Sequence, residues 1–257
     1  MGLEINNSPY VGRINPNIYS PRYVSFGQTP ADTFESSSPE RFTTEVAIKK
    51  MIANNPKIYN IVRNFNPEMN LNMEELRELQ LNHATDTKNI TKGIVENLPF
   101  SLQSRADIKA LEEASYLHDL GKVLIPKEIL NTPDKLDDNE TKIMHTHSEL
   151  SYELLKNSGL SDKTLKLIKH HHQNAKKTGY PWVNNDFNAD LNLQILSAVD
   201  KYSALTEKRA YKEPLTSEQA LTIIYQDVKE EKLHPFVFNA LVNFSNNIMS
   251  DAGNIPA

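Results

Sequence analysis

The stretch YLHDLGKVLIPKEIL, residues 116–130, sets a histidine beside an aspartate at the end of an apolar run. Imidazole and carboxylate together suit borderline divalent ions such as iron or manganese. One pair does not make a site, so the other histidines decide. The chain has eight: His83, His118, His145, His147, His170, His171, His172 and His234. Several lie among apolar residues with helical spacing, where a buried charge is costly. Taken singly, each reads as an ordinary core or surface histidine, and His170 and His234 keep that reading. His145 and His147 are two positions apart. On a helix they face opposite ways, so both cannot serve one ion, and the residues alone do not choose between them.

The elements that must carry these groups are helical. From residue 41 onward, apolar positions recur at helical spacing, and alternating strand patterns are scarce. Ala47, Ile48, Met51 and Ile52 share a face. A second helix is predicted near 72–98, with Asn72 as its N-cap and Glu75 three residues later. Ile108, Leu111, Ala114, Ser115 and His118 form one stripe. The segment DDNETKIMHTHSELSYELLKNSG ends in Gly159, a helix-stop signal. Further helices are predicted over 161–173, 190–208, 215–231 and 235–250. The expected fold is all-α, a compact helical bundle. Residues 1–40 differ: five prolines and a serine run point to an extended or disordered N-terminal arm. A helical segment over 41–70 and a main domain over 71–250 complete the expected organisation.

Composition narrows the function. The chain of 257 residues is 39% hydrophobic, enough for a sizeable core. It has no cysteine, which excludes disulfides and thiolate metal sites and fits a cytoplasmic setting. A formal charge of −5 argues against a DNA-binding surface. No apolar run approaches the roughly 18 residues that span a membrane, and the N-terminus lacks a signal-peptide core.

Read from N to C, the chain gives His83, His118–Asp119, His147, His171–His172, Gly179-Tyr180-Pro181 and Asp200. This order resembles the HD superfamily of metal-dependent phosphohydrolases, and more closely its HD-GYP branch, bacterial cyclic di-GMP phosphodiesterases. The segments LHDLGKVLIPKEILNTPDKL and AVDKYSALTEKRAYK resemble branch segments too. The resemblance covers about residues 75–250. It implies two divalent ions, iron or manganese. One would take His83, His118, Asp119 and Asp200; the other Asp119, His147, His171 and His172. The resemblance also selects His147 over His145. Trinuclear members carry a glutamate four residues before the first histidine; Leu79 stands there, so two ions are expected rather than three.

The implied reaction is hydrolysis of cyclic di-GMP to linear pGpG, with onward cleavage to GMP left open. Two close ions can deprotonate a shared water near neutral pH, and the hydroxide attacks phosphorus. By resemblance Lys122 contacts the scissile phosphate, and Tyr180, Arg209 and Lys212 contact substrate. Gly121 is expected to allow a tight turn. A diguanylate cyclase or another signalling protein is the implied partner of the GYP loop. The other readings are an HD-type phosphohydrolase of another nucleotide, and a weakly active or inactive module binding a dinucleotide or a partner.

Three departures bear on this. Lys176 and Lys177 replace the Asp-Gly pair before Gly179-Tyr180-Pro181. Ser203 stands for the second aspartate of the D-x-x-D-A-L segment, and Ala210 for the proline of R-P-Y. Without glycine the loop is expected to be strained, with Tyr180 displaced and turnover slow.

Overall fold

The computed structural model describes residues 38–207 and 213–253, with side chains to residue 247. Arg209, Ala210 and Lys212 lie outside the described residues, as does nearly all of the arm expected over 1–40. Among the described residues the only regular elements are helices. They are α1 (Glu45–Ala53), α2 (Pro56–Val62), α3 (Met73–Leu79), α4 (Thr85–Asn97), α5 (Phe100–Gln103) and α6 (Ile108–Leu117). Then come α7 (Lys127–Leu130), α8 (Asp138–Leu155), α9 (Asp162–His170), α10 (Leu191–Thr206), α11 (Ser217–Lys229) and α12 (Pro235–Gly253).

The core lies where α4, α6, α8, α9, α10 and α12 pack on one another. Ile94, Leu111, Leu150, Ile168 and Leu193 are fully buried there. Each such side chain contributes about 1.5–3 kcal/mol over remaining exposed. The compact body begins at Ser38, and the 41–70 stretch packs within it rather than apart. Asn55 and Lys57, at the start of α2, both bond the buried Glu153 of α8.

Local rules explain why the helices that position the site residues start where they do. An N-cap oxygen satisfies backbone N–H groups that have no partner within the helix. Asp107 accepts from the Ala110 N–H, Ser161 from Thr164 and Asp190 from Leu193. Asp137 and Glu140 form a reciprocal capping box before α8.

Several sequence expectations need correction. The helix expected over 72–98 is interrupted by a π-turn over Gln80–Ala84, which joins α3 to α4. Asn72 sits at the N-cap of α3, but its side chain makes no cap bond and donates to the Ile125 carbonyl instead. Glu75 accepts from Asn131 and pairs with Lys127. Both residues thus tie α3 to the loop after His118–Asp119. Ile108 leaves its stripe for solvent at 52% exposure, while Leu111, Ala114, Ser115 and His118 are buried. The helix expected over 161–173 stops at His170. Gly159 does take a positive φ of 83° beyond α8.

Candidate metal centre

Five elements bring seven side chains together. The π-turn supplies His83, the end of α6 supplies His118 and Asp119, and α8 supplies His147. The end of α9 supplies His171 and His172, and α10 supplies Asp200. Their ligand atoms form overlapping groups: His83–His118–Asp200, His147–His171–His172 and His118–Asp119–His171. All seven except His172 are nearly inaccessible; the His172 side chain is 27% exposed and marks the open side.

The ring orientations are set locally. His118 Nδ1 lies 2.9 Å from the Ser115 carbonyl, His147 Nδ1 2.7 Å from Met144 O, and His171 Nδ1 2.7 Å from Ile168 O. A carbonyl only accepts, so each Nδ1 carries the proton and each Nε2 presents a lone pair. Yet His147 Nε2 lies 3.2 Å from the Nε2 atoms of both His171 and His172. Burial holds His147 down to about 3 and His172 to about 4, and it pushes His171 well below the usual histidine range. Protonation therefore does not resolve the facing lone pairs of His147 and His171. His118 Nε2 and Asp119 Oδ1 are buried without a hydrogen-bond partner. Such atoms cost free energy unless a cation is present to receive them. The donor set of imidazoles and carboxylates fits divalent ions.

Asp119 stands between the two halves. Its Oδ2 faces His118 at 3.5 Å and His83 at 3.8 Å, whereas Oδ1 faces His147 at 3.3 Å and His171 at 4.0 Å. Burial alone would raise its pKa, but Lys122 and the surrounding histidines outweigh this and hold it well below the carboxylate range. Burial would raise Asp200 likewise, but His118 and His83 prevail and hold it low. Lys122 Nζ sits 2.6 Å from Asp119 Oδ2. Opposite His118 and Asp200, His83 Nδ1 faces Ser203 Oγ at 3.2 Å.

Ser151 clamps the centre from behind. Its hydroxyl accepts from the Gly121 N–H and contacts the carbonyls of His118 and His147. Gly121 lies in the tight turn expected for it, over Leu120–Leu124, without a positive φ. A Cβ there would lie 2.2 Å from His147 O, so the glycine is required for close approach to α8.

His145 stays out of the cluster, as do His170 and His234. Its ring stacks on Tyr180 with centroids 3.6 Å apart and planes 12° apart. Tyr180 also lies 4.5 Å from the His172 ring. Burial, then the charges of Asp200 and Asp119, push the phenol upward, so it keeps its proton. The loop expected to be strained does take the unfavourable backbone: Lys177 has φ of 61°. It is held there by its surroundings. Asn174 Oδ1 accepts from Lys176 N, Lys177 N bonds the Asn174 carbonyl, and Gln173 Oε1 accepts from Gly179 N. Lys176 reaches Glu231 and Lys177 reaches the Asn185 carbonyl. The phenol ring of Tyr180 lies at the rim of the centre, against His145 and His172.

The HD domain family profile matches residues 68–236. The chain is 32% identical to the cyclic di-GMP phosphodiesterase response regulator RpfG of Xanthomonas campestris over 126 residues, 48% of this chain and 33% of that protein. It is 38% identical to the 3'3'-cGAMP-specific phosphodiesterase 2 of Vibrio cholerae over 119 residues, 46% of this chain and 22% of the relative. The matched stretches thus span a third or less of those relatives. Among solved structures, Bd1817, an HDG"Y"P protein from Bdellovibrio bacteriovorus, superposes with a TM-score of 0.50. That match has 12% identity and covers 82% of this chain and 68% of the other, a likeness of fold.

Proposed function

The chain belongs to the HD-domain family, and from that premise we propose that it is a metal-dependent phosphodiesterase of the HD-GYP branch, hydrolysing cyclic di-GMP to linear pGpG. The observation that carries this reading is the buried convergence of five histidines on Asp119 and Asp200, with His118 Nε2 and Asp119 Oδ1 left without a hydrogen-bond partner. The proposed cofactors are two divalent ions, iron or manganese. His83, His118, Asp119 and Asp200 would hold one. Asp119, His147, His171 and His172 would hold the other. When bound, such a pair supplies an activated water as nucleophile and neutralises charge on the phosphoryl oxygens.

The chain's own residues do the rest. Asp119 directs one oxygen to each half of the centre. Lys122, 16% exposed at its edge, is placed to hold a phosphoryl oxygen and to offer a proton toward the leaving oxygen. Tyr180, flat against His145 and still protonated, offers a ring face and a hydroxyl donor at the open side. Arg209 and Lys212 are proposed substrate contacts from sequence alone. Trp182, 85% exposed just beyond Pro181, suits a protein partner of this loop, such as a diguanylate cyclase. The proposal includes an N-terminal arm over residues 1–40 and a cytoplasmic setting. Among the described residues no helix is long and apolar enough to cross a membrane.

A second substrate reading has one specific support: a relative at 38% identity is named for 3'3'-cGAMP. The test is elemental analysis of anaerobically purified protein, with turnover assays on cyclic di-GMP, 3'3'-cGAMP and mononucleotide esters. About two ions per chain and fastest cleavage of cyclic di-GMP are expected. Metal-free protein without turnover would sink the proposal, and preference for 3'3'-cGAMP would move the substrate.

A further inference from the structure

Of the ligand histidines, His118, His147 and His171 fix their own tautomer through a carbonyl three residues back. His83 does not. It sits in the π-turn, and its Nδ1 faces α10, where Ser203 Oγ lies at 3.2 Å and Glu207 Oε2 at 3.4 Å. Asp200, on the same helix, meets the other ring nitrogen, Nε2, at 3.1 Å. Asp200 and Ser203 are an i, i+3 pair on α10 and Glu207 is the residue that caps it, so the end of this helix meets His83 along both edges.

The two groups at Nδ1 are not equivalent. A hydroxyl both donates and accepts, so Ser203 is compatible with either tautomer. An ionised carboxylate only accepts, so it requires the proton on Nδ1 and leaves Nε2 free. We infer that Glu207 is a positioning residue of the metal centre, turning His83 Nε2 toward the ion by accepting the Nδ1 proton. It does from the cap position just beyond α10 what a carboxylate at position 203 would do, and position 203 holds serine here. Carboxylates behind a ligating imidazole fix its orientation and raise its basicity. The inference rests on the metal centre proposed above.

The test measures manganese(II) affinity of the full chain by chelator competition. Glu207→Ala is expected to weaken binding by about 10-fold or more, the usual cost of losing such a partner. Adding Ser203→Asp should recover most of that loss by returning a carboxylate to the same nitrogen. In a His83→Ala background, Glu207→Ala should add no further loss, because its effect passes through that ring. Glu207→Gln keeps the shape without the charge and decides the matter if the alanine variant does not fold. Its affinity should also fall. Unchanged affinity in Glu207→Ala or Glu207→Gln would overturn the assignment alone, as would an undiminished loss in the His83→Ala background. A parent chain that takes up no manganese would overturn the metal centre and this assignment with it.

Discussion

At the scale of single residues, ligand order is legible because chemistry restricts it. Few side chains bind divalent ions, and a chain without cysteine leaves only His, Asp and Glu. The choice of His147 over His145 is not legible from spacing, and the resemblance supplies it. The structure buries His147 in the cluster and spends His145 on Tyr180. Glu207 escapes a reading of the sequence because a glutamate after a helix carries no signal by itself. Its seven-residue spacing from Asp200 is the available hint. Lys177 shows the converse: the cost of its positive φ is legible from the missing glycine, but the Asn174 and Gln173 bonds that hold the loop are not. Lys122 provides the sharpest residue-scale test. Lys122→Ala should lower kcat at least tenfold, equal to about 1.4 kcal/mol of lost transition-state stabilisation. Metal content should stay at the parent level, since Lys122 contacts Asp119 but is not in the ligand groups. Equal kcat in parent and variant would remove Lys122 from the chemistry.

At the scale of elements, most helices are readable from apolar spacing, and their joints are not. The π-turn at His83 looks like ordinary helix in sequence. Its hydrogen bonding is irregular: Thr85 Oγ1 reaches back five residues to the Gln80 carbonyl, and Thr87 Oγ1 bonds His83 O. Widened turns of this kind often coincide with functional positions. The contact of the Leu120–Leu124 turn with α8 is likewise hidden, because Gly121 and Ser151 meet only in the folded chain. Gly121→Ala should therefore push the His118–Asp119 end of α6 away from α8. The expected destabilisation is about 1–3 kcal/mol, typical of overpacking, with a parallel loss of metal affinity. Urea unfolding of the metal-free variant would measure it. A parent-like midpoint would show that the 2.2 Å approach relaxes without cost.

At the scale of the whole molecule, acid sensitivity should trace in part to Glu153, far in sequence from the residues it holds. Burial alone would raise its pKa, but bonds from Lys156, Lys57 and Asn55 prevail and hold it down to about 2, against 4.5 normally. A depressed carboxylate adds stability that is complete above its unfolded pKa and disappears as pH falls through its folded one. The window is thus about pH 4.5 down to about 2. The contribution at neutral pH is on the order of 1–2 kcal/mol, because each tenfold change in proton affinity is worth about 1.4 kcal/mol and solvent screening at the partly exposed lysines reduces the sum. Glu153→Gln should be less stable than the parent at pH 7 and should converge with it near pH 2. Denaturation midpoints at stepped pH would show this; a gap constant across the range would place the fall in stability elsewhere. This bond set joins α2 to α8, which is why the 41–70 stretch belongs to the body that bears the site.

The carbonyl three residues behind each of His118, His147 and His171 has one more consequence. Each ring is aimed by its own helix rather than by its neighbours, so deleting one leaves the others aimed. The vacated space keeps a hydrogen-bond acceptor at one end and the remaining donors at the other. Free imidazole matches both ends: its N–H can bond Met144 O while its second nitrogen takes the place of His147 Nε2. In His147→Gly, millimolar imidazole should restore metal uptake and turnover in a saturable manner, whereas it should do nothing for Asp119→Ala. Small molecules could then stand in for parts of the protein at this centre, and the chain would behave as a socket with replaceable pins.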